Sequence, residues 1–359
     1  MNIAVISNPA GEGKIETPKL IDFLEKRGNQ VQLEQYDYQG RYSDAFYRRC
    51  EVVLAVGGDG TIIRTAKHFA RYGKPILGIN AGNLGYTAEM ECGEWNCIQQ
   101  LLDGNYRLES RLILEGTMYP KNGKLSDRDL LPAKKMAFED IQSGGRRYNG
   151  MHGRLGVQFE DIQSNSTQFD LISKNRNRNQ LRTERRSTGF DEFEDIHSNS
   201  SRSGDQKSNQ NQFYAMNEFV VSGSAAKMVN YAISVDNHEA YTERSDGFIL
   251  ATPTGSTAYA LSAGGAMIDP GLSCMEYIPV CPHSLVNRAV LFQDHTILRV
   301  RISERNFDPV FLSADGEEPI RLQGGDQLSF RKAAFSASFV RFPHRNFYDQ
   351  FHEKMVSRR

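Results

Sequence analysis

The chain has 359 residues, which is more than one compact core usually holds, so we expect two domains. Its formal net charge of -1 gives no electrostatic reason to expect binding to nucleic acid or to an anionic membrane surface. The sequence has no apolar run near the roughly 20 residues that cross a bilayer, and its start lacks the pattern of a signal peptide. The five cysteines are odd in number and have no zinc-like spacing with histidines, which favours reduced thiols. We therefore expect a cytoplasmic protein that contacts neither nucleic acid nor membrane.

Predicted strands and helices alternate over the N-terminal part of the chain. Short apolar runs predict strands at residues 2–7, 31–36, 52–56 and 75–79. The spacing of apolar residues predicts helices at residues 17–27 and 61–72. This order favours a doubly wound, Rossmann-like parallel sheet over residues 1–103, whose ligands would bind beyond the carboxyl ends of the strands.

The sequence VVLAVGGDGT, from Val52 to Thr61, places a sharp glycine turn between a buried strand and a helix. Such a turn leaves backbone N–H groups free to hold phosphate, and its glycines let a ligand approach closely. Asp59 needs a separate explanation, because a carboxylate repels phosphate. It either contacts a metal carried by a nucleotide or accepts a proton from a hydroxyl that attacks the phosphate. The structural alternative is a helix N-cap, which aspartate provides well.

A second glycine-rich loop, NAGNLGYTAEM, begins at Asn80 directly after a predicted strand. Because both loops follow strands of one parallel sheet, we expect them to meet at the same edge. That convergence favours an active-site role for Asp59 over a cap. We predict Gly58 and Asn80 as nucleotide contacts of these two loops.

Beyond residue 103, short predicted strands separated by turn residues replace the alternating pattern. They lie at residues 111–119, 213–222, 231–235, 247–251, 296–302, 309–313 and 326–330. We expect a β-rich, sandwich-like domain over residues 104–344. A short polar helix at residues 345–355 belongs to a tail that spans residues 345–359.

A polar segment at residues 121–212 interrupts this second domain. It is crowded with Ser, Asn, Gln and Arg and cannot bury enough apolar surface to offset the entropy of ordering, so we expect a disordered insertion. A related sequence recurs in it, as FEDIQS at Phe138 and Phe159 and as FEDIHS at Phe193. These repeats are either part of a passive insertion in a hairpin loop or a recognition motif for an unknown partner.

Asn217 and Glu218 lie side by side in the predicted strand MNEFV, residues 216–220. Neighbouring side chains of a strand point to opposite faces, so at least one of the two is buried or faces a cleft. An amide suits the edge of an adenine, and a carboxylate suits a ribose diol. A structural hydrogen-bonded pair explains the same spacing.

The stretch SDGFILATPTGSTAYALSAGGAMID, residues 245–269, places six small or turn-forming residues between a buried strand and a helix start. Hydroxyl and N–H groups at that density favour a cradle for the sugar and phosphates of a nucleotide, since a plain capped helix needs only one of them. Tyr259 is placed to stack on a base.

Taken in order, GGDGT, NAGNLGY, MNE and SDGFILATPTGSTAYALSAGG resemble the NAD kinase family. CPHSL at residues 281–285 and SADG at residues 313–316 extend the resemblance, which covers nearly the whole chain except residues 121–212. GGDGT alone is weak, because lipid kinases and phosphofructokinases are similar there. The TPTGSTAY block with NE upstream of it is far more specific.

The resemblance implies an α/β N-terminal domain and a β-sandwich-like C-terminal domain. It implies transfer of the γ-phosphoryl group of ATP, or of polyphosphate in some relatives, to the 2′-hydroxyl of the adenosine ribose of NAD, giving NADP. It further implies a requirement for Mg²⁺ or another divalent cation, for which we expect no fixed protein ligands, and a homodimer or homotetramer.

Carried over position by position, the resemblance assigns Asp59 as the general base, with Gly60 beside it at the nucleotide. Arg64 is a candidate phosphate contact. Asn217 and Glu218 match the pair that holds NAD, and Asp246 matches the residue at the nicotinamide amide. The block around the adenine and pyrophosphate supplies Thr257, Ala258, Tyr259 and Ser262, with Arg244 and Thr254 in the same pocket.

The chain departs from the family pattern at several positions. The insertion is longer than the usual hairpin and enters just before Asn217. Met228 stands where some relatives carry a polar or basic residue, and Glu317 follows SADG where others carry Gln. His283 is interpreted as structural. Two alternatives stay open: a non-catalytic NAD(P)-binding sensor whose repeats bind a partner, and a lipid or sugar kinase that shares the GGDGT loop.

Overall fold

A computed structural model of the chain describes residues 1–8, 13–35, 48–82, 85–121, 211–224, 227–236, 238–284, 287–343, 347–348 and 352. Within these residues, no helix has the length and apolar character that crossing a membrane requires. The predicted insertion lies outside the described residues except at its two ends, and the predicted C-terminal helix lies largely outside them.

The first sheet has seven strands, and three helices accompany it. Its strands are β1 (Asn2–Ser7), β2 (Gln30–Gln35), β3 (Val52–Gly57), β4 (Pro75–Asn80), β5 (Met90–Glu91), β6 (Arg107–Arg111) and β19 (Ala337–Arg341). The helices are α1 (Gly13–Glu25), α2 (Asp59–Ala70) and α3 (Trp95–Leu102).

The strand order of this sheet is β2-β1-β3-β4-β19-β6, with β5 paired to β4. All neighbours are parallel except β6 and β19, which run antiparallel. Strand β3 is buried along its whole length, as its continuous apolar sequence predicts. The parallel α/β sheet is therefore confirmed, and it takes two of its strands, β6 and β19, from beyond residue 103.

Twelve strands and two short helical segments form the rest of the described chain. The strands are β7 (Leu114–Tyr119), β8 (Gln212–Ala215), β9 (Glu218–Gly223), β10 (Val229–Val235), β11 (His238–Ser245), β12 (Gly247–Ala251), β13 (Cys274–Val280), β14 (Val290–Gln293), β15 (Leu298–Ile302), β16 (Val310–Ala314), β17 (Ile320–Leu322) and β18 (Gln327–Lys332). The helical segments are a 3-10 turn (Gly255–Thr257) and α4 (Tyr259–Ser262).

These strands form two six-stranded antiparallel sheets, β11-β10-β15-β18-β7-β8 and β14-β13-β12-β9-β16-β17. Side chains from both sheets meet in one buried apolar cluster, in which Phe248 lies against Tyr231, Tyr277 and Phe330. Alternate residues of β10 and β15 point into this cluster. The β-rich, sandwich-like second domain is confirmed.

Two of the predicted strands are wrong as continuous elements. Residues 213–222 divide into β8 and β9, which belong to different sheets, because the chain leaves one sheet at Met216 and enters the other at Glu218. Residues 111–119 likewise divide into β6 and β7. Both breaks occur where the chain passes between sheets while its apolar character continues.

Helix α1 begins at Gly13, before the predicted start at Thr17. Thr17 therefore lies within the helix and is not its N-cap. Its hydroxyl lies 2.7 Å from the Ser7 hydroxyl, and this hydrogen bond connects α1 to the end of β1. Helix α2 begins at Asp59 itself, so the glycine turn and the helix are continuous.

Candidate active site

The turn after β3 brings α2 to the carboxyl edge of the first sheet. Gly58 is the N-cap residue of α2, in an extended conformation, and Asp59 is the first helical residue. A Cβ at Gly57 would lie 2.8 Å from the Thr61 side chain, so only glycine lets the strand turn this tightly into the helix. Because Gly58 occupies the N-cap position and Asp59 lies inside the helix, the N-cap interpretation of Asp59 is wrong.

The Asp59 carboxylate is held by the second glycine-rich loop. The backbone N–H of Tyr86 donates to Asp59 Oδ2 at 2.8 Å, and the N–H of Thr87 donates to Oδ1 at 3.1 Å. A Cβ at Gly85 would lie 2.0 Å from Oδ1, so the loop approaches the carboxylate only because residue 85 is glycine. These contacts confirm that the two loops meet at one edge. They also orient the carboxylate while each oxygen keeps acceptor capacity for a ligand.

Asn80 ends β4 beside this turn, opposite Gly57 in the sheet. Its side chain is buried, and its amide donates to Glu91 Oε2 at 2.8 Å and to the carbonyl of Gly82 at 3.3 Å. Its Oδ1 accepts no hydrogen bond within the described residues. Buried acceptors are normally satisfied, so this oxygen suits a donor from a ligand.

The segment that carries Asn217 and Glu218 runs between the two sheets of the sandwich. The carboxylate of Asp315 accepts hydrogen bonds from the backbone N–H groups of Met216, Asn217 and Glu218 at distances between 2.7 and 3.2 Å. These bonds replace the strand pairing that the continuous strand would have made. The chain therefore turns here, and the two side chains do not follow the simple alternation of a strand.

Glu218 is buried, and its Oε2 accepts no hydrogen bond within the described residues. Burial, and then the negative charge of Asp315, raise the pKa of Glu218 to about 8. A buried carboxyl group with an open acceptor position is costly unless a ligand completes its hydrogen bonds. Glu218 is therefore a strong candidate for a ligand contact.

The TPTGST block packs directly against this segment. Thr252 donates from its backbone N–H to the Asn217 carbonyl at 2.8 Å and from its hydroxyl to the Met216 carbonyl at 2.6 Å. A Cβ at Gly255 would lie 2.1 Å from the Asn217 carbonyl oxygen. The structure thus brings the two predicted nucleotide-binding stretches into contact.

Several hydroxyls of the block serve the turn itself. The Ser256 hydroxyl donates to the Pro253 carbonyl at 2.7 Å, and the Thr257 hydroxyl donates to the Thr254 carbonyl at 3.3 Å. Thr254 is buried and accepts a long hydrogen bond from Arg111 at 3.4 Å. The prediction that hydroxyl density marks ligand contacts is therefore too simple, since much of it stabilises the 3-10 turn.

The remaining predicted contacts lie on exposed or half-buried positions. Tyr259 is 48% exposed, which leaves its ring available for stacking. Ser262 and Arg244 are exposed, and Gly60 is exposed beside Asp59. Of these remaining contacts, Arg64, Ala258 and Asp246 are half-buried.

Asp246 occupies the corner where the chain passes from β11 to β12. Its backbone N–H donates to the Val280 carbonyl at 3.0 Å, and its carbonyl accepts from the N–H of Gly223 at 3.1 Å. Gly247 follows with φ of 156°, and a Cβ there would lie 2.0 Å from the Val221 carbonyl oxygen. The corner therefore requires glycine after Asp246.

Three buried charged residues and the half-buried Glu109, which the sequence motifs did not identify, connect the Asp59 loop with the TPTGST block. Arg341 donates to Glu89 Oε2 at 2.7 Å and to Glu109 Oε1 at 3.2 Å, and Arg111 donates to the same Glu109 oxygen at 2.6 Å. Burial, with the nearby positive charge of Arg341, lowers the pKa of Arg111 to about 10, against the opposing effect of Glu109. Single charged residues in strands give no local pattern that reveals such a chain.

Asp315 and its ion-pair partner Lys67 were likewise not predicted as site residues. Asp315 belongs to the SADG sequence, and its Asp-Gly pair after a strand is a turn pattern that indicated its position but not its role. Lys67 lies on α2 and pairs with both Asp315 and Glu317.

The family comparisons cover both domains. Residues 7–107 match the N-terminal domain of ATP-NAD kinases, and residues 216–342 match the C-terminal domain of ATP-NAD kinases. The NAD kinase of Ruminiclostridium cellulolyticum is 26% identical over 366 aligned residues, which cover 99% of this chain and 98% of that relative.

Two solved structures are similar over almost the whole chain. Yeast NADH kinase complexed with NADH has a TM-score of 0.65 at 19% identity and covers 99% of this chain and 87% of that one. An NAD kinase from Archaeoglobus fulgidus in complex with ATP has a TM-score of 0.62 at 19% identity and covers 99% of both chains. At this level of identity, the likeness shows the shared fold.

Proposed function

We propose that this chain, which belongs to the ATP-NAD kinase family and is a phosphotransferase acting on NAD, uses Asp59 as the general base of the transfer. The observation that carries the proposal is the placement of Asp59 at the carboxyl end of β3, where two backbone N–H groups orient its carboxylate. Ligands of parallel sheets bind at that end. A carboxylate repels phosphate, so a site that only bound phosphate would not favour one at this position. A role as proton acceptor in the reaction explains why Asp59 is there.

The attacking group is the 2′-hydroxyl of the adenosine ribose of NAD. As its oxygen bonds to the γ-phosphorus, the hydroxyl proton passes to the Asp59 carboxylate. The bond from the γ-phosphorus to the bridging oxygen of ATP breaks, and ADP leaves. A ribose hydroxyl is a weak nucleophile at neutral pH, so a placed base is worth ~10²–10⁴-fold, and alignment of the two substrates supplies a further share.

Asn217 and Glu218 hold NAD in this proposal. Glu218 offers a buried acceptor oxygen that a ribose hydroxyl would satisfy, which supports its assignment. Asp246 takes the nicotinamide amide, and Tyr259 stacks on the adenine. The remaining NAD contacts are Arg244, Thr254, Thr257, Ala258 and Ser262.

The donor is ATP, as in the Archaeoglobus fulgidus relative that was solved in complex with ATP. Gly58 and Gly60 place the first N–H groups of α2 toward the phosphates, because the start of a helix favours anions. Arg64 adds a positive charge beside the phosphates, and Asn80 offers its open Oδ1 to a donor group of the nucleotide. Polyphosphate would engage the same groups, so the donor preference is part of the test.

Mg²⁺ or another divalent cation fits this site as a companion of the nucleotide. Among the described residues, no three His, Cys, Asp or Glu side chains lie together as a metal-binding group. Mg²⁺ dehydrates reluctantly and usually binds through substrate phosphates, so we expect it to arrive with the nucleotide and to have no fixed protein ligands. When bound, the cation neutralises phosphate charge. We further propose a cytoplasmic enzyme that forms a homodimer or homotetramer, as the family resemblance implies.

The test is NADP formation from NAD, ATP and Mg²⁺ in a coupled dehydrogenase assay, with wild type compared with Asp59→Asn. We expect wild type to turn over and Asp59→Asn to lose ~10²-fold or more in kcat, because the amide cannot accept the proton. NAD binding, measured by calorimetry, should persist in the variant.

Equal activity of the two proteins would remove Asp59 from the role of base. Absence of NADP with folded, NAD-binding wild type would overturn the kinase assignment in favour of a sensor. Parallel assays with polyphosphate as the donor decide the donor preference.

A further inference from the structure

Asp315 is the centre of a buried cluster that touches three parts of the candidate site. Its side chain is 2% exposed, and its backbone adopts a left-handed conformation with φ of 50°. Besides accepting the N–H groups of residues 216–218, it donates its own backbone N–H to the Glu218 carbonyl at 3.0 Å. The backbone of the Asn217–Glu218 segment is thus bonded both to the side chain and to the backbone of Asp315, in the turn after β16.

Lys67 connects this cluster to the helix that begins at Asp59. Its Nζ lies 3.1 Å from Asp315 Oδ2 and 2.5 Å from Glu317 Oε1, and its side chain is only 12% exposed. Helix α2 is a rigid element that rises about 1.5 Å per residue, so Lys67 and Asp59 keep a fixed spacing on it. Any displacement of Lys67 relative to Asp315 therefore displaces Asp59 relative to Asn217 and Glu218.

The chain of charges from Glu89 to Arg111 also connects the two half-sites, through Thr254, while other bonds act within each half-site. The loop at Tyr86 and Thr87 holds the Asp59 carboxylate, while Thr252 holds the backbone of the Asn217 segment. Neither set of bonds sets the distance between the half-sites. The Lys67–Asp315 pair joins one half-site directly to the other, and a buried carboxylate keeps its cation close because separation would leave its charge uncompensated.

We propose that Lys67 and Asp315 are positioning residues, forming a strut that sets the distance between the general base on α2 and the ribose held at Asn217–Glu218. This inference rests on the proposed function, since it assumes that Asp59 is the base and that NAD binds at that segment. Phosphoryl transfer depends steeply on alignment, and a misplacement of about 1 Å costs on the order of 10²-fold. The strut acts through alignment and touches neither substrate.

The decisive variant is Lys67→Met, which removes the charge and leaves every backbone bond of both half-sites intact. We expect kcat to fall roughly 10- to 100-fold while the Kd for NAD changes less than about threefold, because each half-site stays formed. Lys67→Arg should recover most of kcat, since arginine can pair with the same carboxylate. Lys19→Met, which removes an exposed ion pair with Glu16 on α1, is the matched control and should keep wild-type kinetics.

The double variant Lys67→Met with Asp315→Asn distinguishes the proposed positioning role of the ion pair from a purely structural role. Neutralising both partners removes the unpaired buried charge, so the melting temperature should rise above that of Lys67→Met. We expect kcat to stay low, because the strut is still missing. Recovery of both stability and kcat in the double variant would overturn the proposal, as would a fall in NAD affinity that matches the fall in kcat.

The outcomes distinguish this inference from the proposed function. If wild type and Lys19→Met make NADP and folded Lys67→Met does so equally well, the positioning role of Lys67 is refuted and the kinase assignment stands. If wild type makes no NADP, the kinase assignment itself fails. If Lys67→Met does not fold, the double variant carries the same kinetic test.

Discussion

Asp59 and Glu218 are two carboxyl groups at the two halves of the site, and their surroundings differ. Both oxygens of Asp59 accept a backbone N–H, so the group is oriented before any ligand arrives. Glu218 has one buried oxygen without a hydrogen-bond donor in the described residues, and its pKa is raised to about 8. These surroundings support the two different roles that we propose for one chemical group: a preorganised proton acceptor at Asp59, and at Glu218 a contact that a ligand's hydroxyls complete.

The largest effect should come from the buried ion pairs of Arg341, which support the Asp59 half. Arg341→Met removes the ion pair of Arg341 with Glu89, whose side chain is 1% exposed. Breaking one partner of a buried pair typically costs ~3–5 kcal/mol, and we expect the free energy of unfolding to fall by about that amount. Chemical denaturation measures it.

The control is Lys26→Met, which breaks an exposed pair with Asp22 and should change the free energy of unfolding by less than ~1 kcal/mol. A loss in Arg341→Met no larger than in this control would show that the buried chain does not support the Asp59 half.

A direct test of Asp59 preorganisation is Gly85→Ala. The added Cβ would lie 2.0 Å from Asp59 Oδ1, so the loop must retreat and release the carboxylate. We expect kcat to fall on the order of 10²-fold while NAD affinity, set at the Glu218 half, stays close to wild type. Gly271→Ala, whose Cβ meets only Asp269 Oδ1 at 3.3 Å, is the matched control. Unchanged kcat in Gly85→Ala would remove the distinction drawn between the two carboxyl groups.

The smallest effect concerns the titration of Glu218. With a pKa of about 8, this group is mostly protonated at pH 7 and mostly ionised at pH 9. Ribose hydroxyls donate to the ionised form, so kcat/KM for NAD should rise about tenfold between these pH values, following the ionised fraction. In Glu218→Gln this rise should vanish. A rise that persists in Glu218→Gln would assign the titration to another group.

The raised pKa of Glu218 also predicts how the stability of the folded protein changes with pH. The folded-state pKa of Glu218 lies above the ordinary value of 4.5, so its protonated form favours the folded protein. That contribution is complete below about pH 4.5 and is lost as pH rises through about 8. Thermal melts of wild type and Glu218→Gln without NAD should therefore converge at acid pH and separate as pH rises, with wild type becoming the less stable.

Local sequence predicted the Asp59 half well. The continuous apolar run of β3, the glycines after it and the amphipathic α2 determine a strand, a turn and a helix without help from distant residues. It predicted the Glu218 half less well, because Asp315 lies far along the chain and withdraws the backbone N–H groups of residues 216–218 from strand pairing. The hydropathy of the sequence alone cannot show that these N–H groups bond to Asp315 and not to a neighbouring strand.

Strands β5, β11, β13, β14, β17 and β19 were not predicted, and the prediction met β6 only at Arg111. Strand β14 is an exposed edge strand, β11 is rich in polar residues, and β13 buries Glu276 within its run. Strand β19 joins the first sheet from the end of the chain, between β4 and β6. Partners elsewhere in the sheet determine these strands more than their own propensity does.

The sequence by itself determined the family and the two kinds of sheet, and it predicted Asp59 as the reacting carboxylate, because these depend on short motifs with strong local preferences. Only the tertiary structure decided which residues support them: Lys67 with Asp315, the chain of charges from Glu89 to Arg111, and the open acceptor of Glu218. The physical reason is that burial and charge pairing depend on the surroundings of each side chain. Those surroundings are assembled from residues that are far apart in the sequence.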